Sequence, residues 1–214
     1  MNAPREDQPP VAGAPARVVV LVSGAGSLMQ ALVAAAGSAE HPFQVVAVGT
    51  DRDCPAVQHA TDAGLAAFTV RLGDHPDRGA WDHALADAVA AHAPDLVVSA
   101  GFMKVLGPAF LARFGGRTLN THPALLPSFP GAHAVSDALA YGVKVSGSTV
   151  HLVDAGVDTG PILAQEAVAV LDDDDEASLH ERIKVVERRL LVDVVSAVAA
   201  RGISTDGRKA RIHE

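Results

Sequence analysis

Two stretches of the chain carry residue types that could do chemistry: Asn120-Thr121-His122-Pro123-Ala124-Leu125-Leu126-Pro127 and, further on, Asp158-Thr159-Gly160-Pro161. An amide, an imidazole and a carboxylate are the groups needed to bind a carbonyl oxygen as it becomes negative and to move protons around it. That combination points to acyl or formyl transfer. Asn120 and His122 lie two residues apart, so on a strand they face the same side, while Pro123 withholds the next ladder hydrogen bond and sets where that strand stops. The pair is expected at a strand end. An earlier stretch, Ser23-Gly24-Ala25-Gly26-Ser27, places a glycine turn before a helix, where free backbone N–H groups and the positive end of the helix dipole suit a phosphate. A dinucleotide fold would want a third glycine where Met29 stands. Phosphate binding and an ordinary tight βα turn both stay open on these grounds.

Alternating patterns supply the elements that must position these groups. Residues 17–23 form a short β-branched apolar run ending in glycines, the pattern of a buried parallel strand. Helix is expected over 27–36, strand over 43–49, helix over 55–63 and strand over 66–70. A helix over 78–92, with Trp81, Leu85, Ala88 and Val89 on one face, precedes a buried strand over 95–100. After Asn120 the segments 149–153 and 162–170 read as alternating strands joined by a short connection containing Gly-Pro, an antiparallel pair. The last helix is expected to open on a capping box at Ser178-Leu179-His180-Glu181 and to run to about Ala199. The fold class is α/β: an open, mostly parallel, Rossmann-like sheet with helices on both faces and an antiparallel carboxyl-terminal strand pair. One domain spans 17–204, between a disordered amino-terminal tail, 1–16, and a carboxyl-terminal tail, 205–214.

The Asn-x-His-Pro-x-Leu-Leu-Pro run, the Asp-x-Gly-Pro run and the glycine turn together resemble the folate-dependent formyltransferases, over about residues 17–204. Within that family the chain is most similar to the purine-biosynthesis branch. The resemblance implies transfer of the formyl group of 10-formyltetrahydrofolate to the amine of 5'-phosphoribosylglycinamide, by direct attack through a tetrahedral intermediate. Asn120 and His122 would hold the oxyanion, and Asp158 would keep the imidazole protonated as general acid for the departing folate nitrogen. Neither a metal nor a redox cofactor is required. The resemblance also puts the substrate phosphate on Gly26, Ser27 and Leu28, and the folate on Arg78 and the block Met103-Lys104-Val105-Leu106. Two positions depart from the family pattern: Leu28 stands where asparagine is usual, and Lys104 where arginine is often found. Backbone donation survives any side chain, so phosphate binding is expected to persist with one side-chain contact missing. Val105 and Leu106 read equally well as plain core.

Glu187 falls within the apolar stripe of the last helix, Leu179, Ile183, Val186, Leu190 and Val194, and a carboxylate there needs a partner. Residue chemistry offers a buried salt bridge with Arg182 or Arg113; the resemblance offers the ribose hydroxyls of the substrate. His122, His133 and His151 fit no compact metal-ligand spacing and no cysteine joins them, so no metal site is expected. His133 is expected on a loop over the site. His151 alternates with Val150 and Leu152 on a strand and reads as a hydrogen-bonded structural histidine.

With 214 residues, 49% hydrophobic and 20% charged, the chain can bury one substantial core. Its net charge of -8 and the acidic run at 172–176 repel phosphodiester backbones, so nucleic acid is not an expected partner. One cysteine, Cys54, rules out an internal disulfide framework. No apolar run approaches the ~20 residues of a membrane span, and the amino terminus lacks the pattern of a secretory signal. Small-molecule substrates, a cytoplasmic location and no membrane partner follow as expectations, and a homodimer is compatible with all of them. Rivals on the same core are a tRNA formyltransferase, which would need an additional nucleic-acid-binding domain, and a formyltetrahydrofolate hydrolase, which usually carries an extra regulatory domain. A non-catalytic nucleotide-binding module is the third.

Overall fold

Val18 to Val22 are buried without alternation, which is what a strand covered on both faces requires, and they place β1 (Ala16–Val22) inside the sheet. The computed structural model describes residues 14–214; the disorder expected of the tail falls largely on residues 1–13 and lies outside the described residues. The other strands are β2 (Phe43–Thr50), β3 (Ala66–Thr69), β4 (Leu96–Ser99), β5 (Thr118–His122), β6 (Val145–Leu152), β7 (Ile162–Ala169), β8 (Ile203–Asp206) and β9 (Lys209–Ile212). They form one sheet in the order β3-β2-β1-β4-β5-β6-β7-β9-β8. The first five strands in that order pair parallel, whereas β5 with β6 and β6 with β7 pair antiparallel; the second of these is the antiparallel pair expected after Asn120.

The helices are α1 (Ser27–Ala35), α2 (Pro55–Asp62), α3 (Arg78–Ala90), α4 (Pro108–Phe114), α5 (Ala134–Tyr141) and α6 (Glu176–Arg201). Two apolar clusters cover the sheet. One gathers β1, α1 and the end of α6 around Val20, Leu32 and Leu191; the other gathers α3 and α4 around Trp81, Leu85 and Phe110. Helices therefore lie on both faces of a mostly parallel sheet.

Several local expectations change. α4 and α5 were not part of the pattern, because each spans barely two turns and starts beside a Pro or Gly segment. β6 begins at Val145 rather than at 149. The capping box of α6 sits earlier than expected: Asp175 is the N-cap and Ser178 the third helical residue, the two exchanging side chain to backbone bonds of 2.8 and 3.0 Å. The segment 205–214, read as a tail, instead completes the β8–β9 hairpin, which meets β7 at Ile162↔Lys209 and extends the sheet. On α3 the buried face carries Asp82 and Ala86 where Ala88 had been placed.

Because β1, β4 and β5 are adjacent and parallel, their carboxyl ends fall on one edge. That edge carries the glycine turn after β1, the segment 101–106 after β4, and Asn120 to His122 at the end of β5. Open α/β sheets bind ligands at this edge. Asp82 fixes part of it: nearly fully buried, it accepts the N–H groups of Gly107, Ala109 and Phe110 at 2.7, 2.8 and 3.1 Å, capping α4 from a neighbouring helix. Asp82→Ala strands those donors and is expected to cost about 2 kcal/mol, lowering Tm by on the order of 5 °C in a domain of this size. A loss below about 2 °C in a thermal melt would mean that water replaces the carboxylate.

Candidate active site

The turn after Pro123 is pinned to the antiparallel strands. The Thr149 hydroxyl donates to the Ala124 carbonyl at 2.6 Å and accepts the Leu126 N–H at 3.1 Å, and Gln165 donates to the Leu126 carbonyl at 2.8 Å. The second half of the site comes from the loop between β6 and β7. Asp154 accepts from the Gly156 N–H and the Thr159 hydroxyl, which closes that loop on itself. Gly160 is obligatory there, since an added Cβ would lie 1.7 Å from the Leu152 carbonyl oxygen. Asp158 adopts the left-handed region with φ 54, uncommon outside glycine and frequent at functional sites.

This turns Asp158 onto the β5 end. Its Oδ2 stands 3.3 Å from His122 Nδ1 and accepts the Gly131 N–H at 2.8 Å; its Oδ1 stands 3.5 Å from Asn120 Nδ2 and 3.6 Å from His151 Nε2. The side chains of His122 and Asp158 are 5% and 11% exposed. Burial alone would push the Asp158 carboxyl up, but the His151 contact, the Gly131 N–H and the charge of His122 outweigh it and hold the group below the usual carboxylate range. His122 Nε2 donates to the Phe129 carbonyl at 2.7 Å, so both ring nitrogens face acceptor oxygens. Phe129 itself has φ 54, a second non-glycine residue in the left-handed region beside the site.

His151 belongs to this network, which the sequence did not reveal. Its Nδ1 faces the Leu152 carbonyl at 2.9 Å, and its Nε2 lies 3.2 Å from Asn120 Nδ2 and 3.6 Å from Asp158 Oδ1. The register Asn120↔His151 creates the contact, and spacing along the chain carries no trace of it. His133 lies exposed at the N-cap of α5. Among the described residues no three His, Cys, Asp or Glu side chains are grouped to hold a metal ion.

Thr121 points to the opposite side of β5 and donates to Glu187 Oε1 at 2.7 Å. The salt-bridge alternatives for Glu187 do not form: Arg182 pairs with Asp174 and Arg113 with Asp87. Burial lifts the Glu187 carboxyl above the ordinary range, with the Thr121 hydrogen bond opposing. A molecule meeting both Glu187 and His122 must therefore lie across the end of β5.

At the glycine turn Gly26 has φ 77 and an added Cβ would stand 2.9 Å from Ala56 Cβ, so only glycine fits. Among the described residues no side chain caps α1, which leaves its first-turn N–H groups open at Ser27 and Leu28. Leu28 turns its side chain into the sheet–helix core, so its contribution to the turn is backbone alone. After β4 the block splits: Leu106 is core, while Met103 and Val105 are 61% and 48% exposed. Arg78 lies 5.5 Å over the Trp81 ring and donates to the Val105 carbonyl, joining two of the positions expected at the folate.

Residues 16–195 match the formyl transferase family. The chain is 66% identical over 197 residues to the phosphoribosylglycinamide formyltransferase of Mycobacterium tuberculosis H37Rv, covering 92% of this chain and 91% of that protein. It is 37% identical over 198 residues to the Escherichia coli K12 protein of the same name, covering 92% and 90%. Among solved structures, glycinamide ribonucleotide transformylase 1 from Symbiobacterium toebii superposes with a TM-score of 0.92 at 39% identity, over 97% of this chain and 99% of that one.

Proposed function

The chain belongs to the formyl transferase family, and on that footing we propose that it transfers the formyl group of 10-formyltetrahydrofolate to the amine of 5'-phosphoribosylglycinamide in purine biosynthesis. It is an enzyme, a one-carbon transferase acting on small molecules. What carries this reading is the convergence of Asn120, His122 and Asp158 at the carboxyl end of β5.

The amine attacks the formyl carbon, and the carbonyl oxygen becomes an oxyanion that accepts hydrogen bonds from Asn120 Nδ2 and His122 Nε2. Asn120 has the donor for this: its 3.5 Å contact to Asp158 is long enough to give way, while His151 keeps the amide oriented. His122 must exchange the Phe129 carbonyl for substrate. Asp158 stays ionised opposite Nδ1 and stabilises the imidazolium. The bond from the carbon to the folate nitrogen then breaks as that nitrogen takes the proton His122 supplies, the extra proton of the attacking nitrogen passes to the imidazole left behind, and tetrahydrofolate leaves with the amine formylated. Holding both substrates on one sheet edge supplies orientation. In this reading the first turn of α1 binds the phosphate through Gly26, Ser27 and Leu28, Glu187 meets the ribose hydroxyls, and Arg78 with residues 103–106 holds the folate. No helix among the described residues is long and apolar enough to cross a membrane.

Tetrahydrofolate release tests the reading. Removing the phosphate from the acceptor is expected to lower kcat/KM roughly 10- to 100-fold, the loss of about 1.5–3 kcal/mol from one charge-assisted contact. Equal rates for the two acceptors exclude the phosphate turn; release without any acceptor favours the hydrolase, and formylation of charged initiator tRNA favours the tRNA enzyme.

A further inference from the structure

His59 is half-buried on α2, and none of the assignments above uses it. Its Nδ1 stands 3.1 Å from the Ala25 carbonyl oxygen and 2.6 Å from the Gln30 side-chain amide nitrogen, so one imidazole touches the glycine turn and α1 from α2. With the proton on Nδ1 the ring donates to that carbonyl; the Gln30 amide holds one oxygen and one NH2 and serves the ring in either tautomer. The preceding carbonyl of the turn is tied to the same helix, since the Ala56 N–H donates to Gly24 at 3.3 Å. Both carbonyls of the turn thus face α2. In a planar trans peptide the C=O and the N–H that follows it point in opposite directions. Drawing the Ala25 carbonyl toward α2 therefore aims the Gly26 N–H away from it, and that N–H is the first of the donors assigned to the phosphate. Glycine admits both signs of φ, so this peptide plane can turn over at little steric cost, and turned over it would present an oxygen where the N–H had been.

We propose that His59 is a positioning residue for the substrate phosphate: by holding the Ala25 carbonyl it locks the peptide between Ala25 and Gly26 with its N–H, not its oxygen, offered to the anion. The inference rests on reading the glycine turn as the phosphate site. Leu28 gives that site its backbone alone, so the direction in which each peptide of the turn points decides how many donors the phosphate meets. Stability accounts poorly for the contact. Ala25 is exposed, so water could serve its carbonyl as well as the imidazole does, and an exchange of that kind contributes little to folding. What the ring supplies that water cannot is a donor fixed to α2, whose Ala56 already packs against Gly26.

Steady-state kinetics with two acceptors, phosphoribosylglycinamide and the same compound without its phosphate, reads this out. His59→Ala is expected to raise KM for phosphoribosylglycinamide about 3- to 10-fold, the factor for one lost hydrogen bond, with kcat changed less than about 2-fold and KM for 10-formyltetrahydrofolate unmoved. With the acceptor that lacks the phosphate, kcat/KM stays within about 2-fold of the unmodified chain, so the preference for the phosphorylated acceptor shrinks by the same roughly 3- to 10-fold. His59→Phe keeps a flat ring without the donor and behaves like alanine. His59→Asn sets an amide N–H as many bonds from the backbone as Nδ1 and returns KM to within about 2-fold. Equal losses with the two acceptors, a KM rise for the cosubstrate as well, a fall in Tm with every KM unmoved, or an asparagine variant no better than alanine overturns the proposal. If His59→Ala does not accumulate as folded protein, the phenylalanine and asparagine variants carry the same comparison. An unmodified chain that turns over both acceptors equally overturns the phosphate reading and this inference together; one that prefers the phosphorylated acceptor and keeps the whole preference in His59→Ala overturns this inference alone.

Discussion

His122→Ala is expected to lower kcat about 10²–10⁴-fold while the chain stays folded, the range for removal of a positioned proton donor from a transition state. The ring is nearly buried, but its polar contacts are to a carbonyl and a carboxylate, and the loop carrying Phe129 is held independently by Thr149 and Gln165. Asp158→Asn is expected to cost a similar factor by another route. The amide keeps the shape and an acceptor for the Gly131 N–H, yet removes the charge that stabilises the imidazolium. Steady-state rates with circular dichroism as the folding control check both, and a His122→Ala enzyme with near-native kcat removes the general-acid assignment. Because the Asp158 carboxyl is held below its usual range when folded, its contribution to stability is present above the unfolded value of about 3.9 and is lost only as pH falls through the lower folded value. Activity lost near neutral pH is therefore not Asp158 titrating.

Glu187→Gln separates function from stability in one substitution. The carboxylate is buried on α6, it accepts from Thr121, and Arg113 and Arg182 pair with Asp87 and Asp174 instead of with it. If it receives the two ribose hydroxyls, the amide loses two charge-assisted hydrogen bonds, and kcat/KM is expected to fall about 10²-fold or more. The same change relieves an ionised group of burial. A carboxyl whose folded pKa is raised costs stability at pH above its unfolded value, about 4.3, and the full cost applies above the folded pKa. Near neutral pH the variant is therefore expected to be more stable by on the order of 1 kcal/mol, about 2–4 °C in Tm, and the gain vanishes below about pH 4. Melting curves at both pH values, set beside kinetics, decide the matter. A variant that melts lower near pH 7 and keeps full kcat/KM would show that Glu187 is a structural residue supported by Thr121.

Much of the arrangement was legible along the chain, because it depends on near neighbours. Strand and helix periods placed four of the five parallel strands, Pro123 marked the end of β5, the alternation of Asn120 and His122 put both on one face, and the Asp-x-Gly-Pro run marked the loop that brings Asp158 in. Gly26 could be read as a turn residue since its constraint is local, a positive φ at a helix start. What depended on contacts far apart in sequence was not legible. The partner of Glu187 was decided by which residue β5 turns toward α6, and Arg113 and Arg182, plausible by charge, found Asp87 and Asp174 nearer. His151 joined Asn120 and Asp158 only through the register of β6 on β5. The β8–β9 hairpin carries too short a pattern to be recognised before the edge of β7 is there to receive it. Sequence by itself determined which chemical groups are present and which local backbone holds them; only tertiary structure decided which of them meet, because register and packing angle turn a list of polar residues into hydrogen bonds.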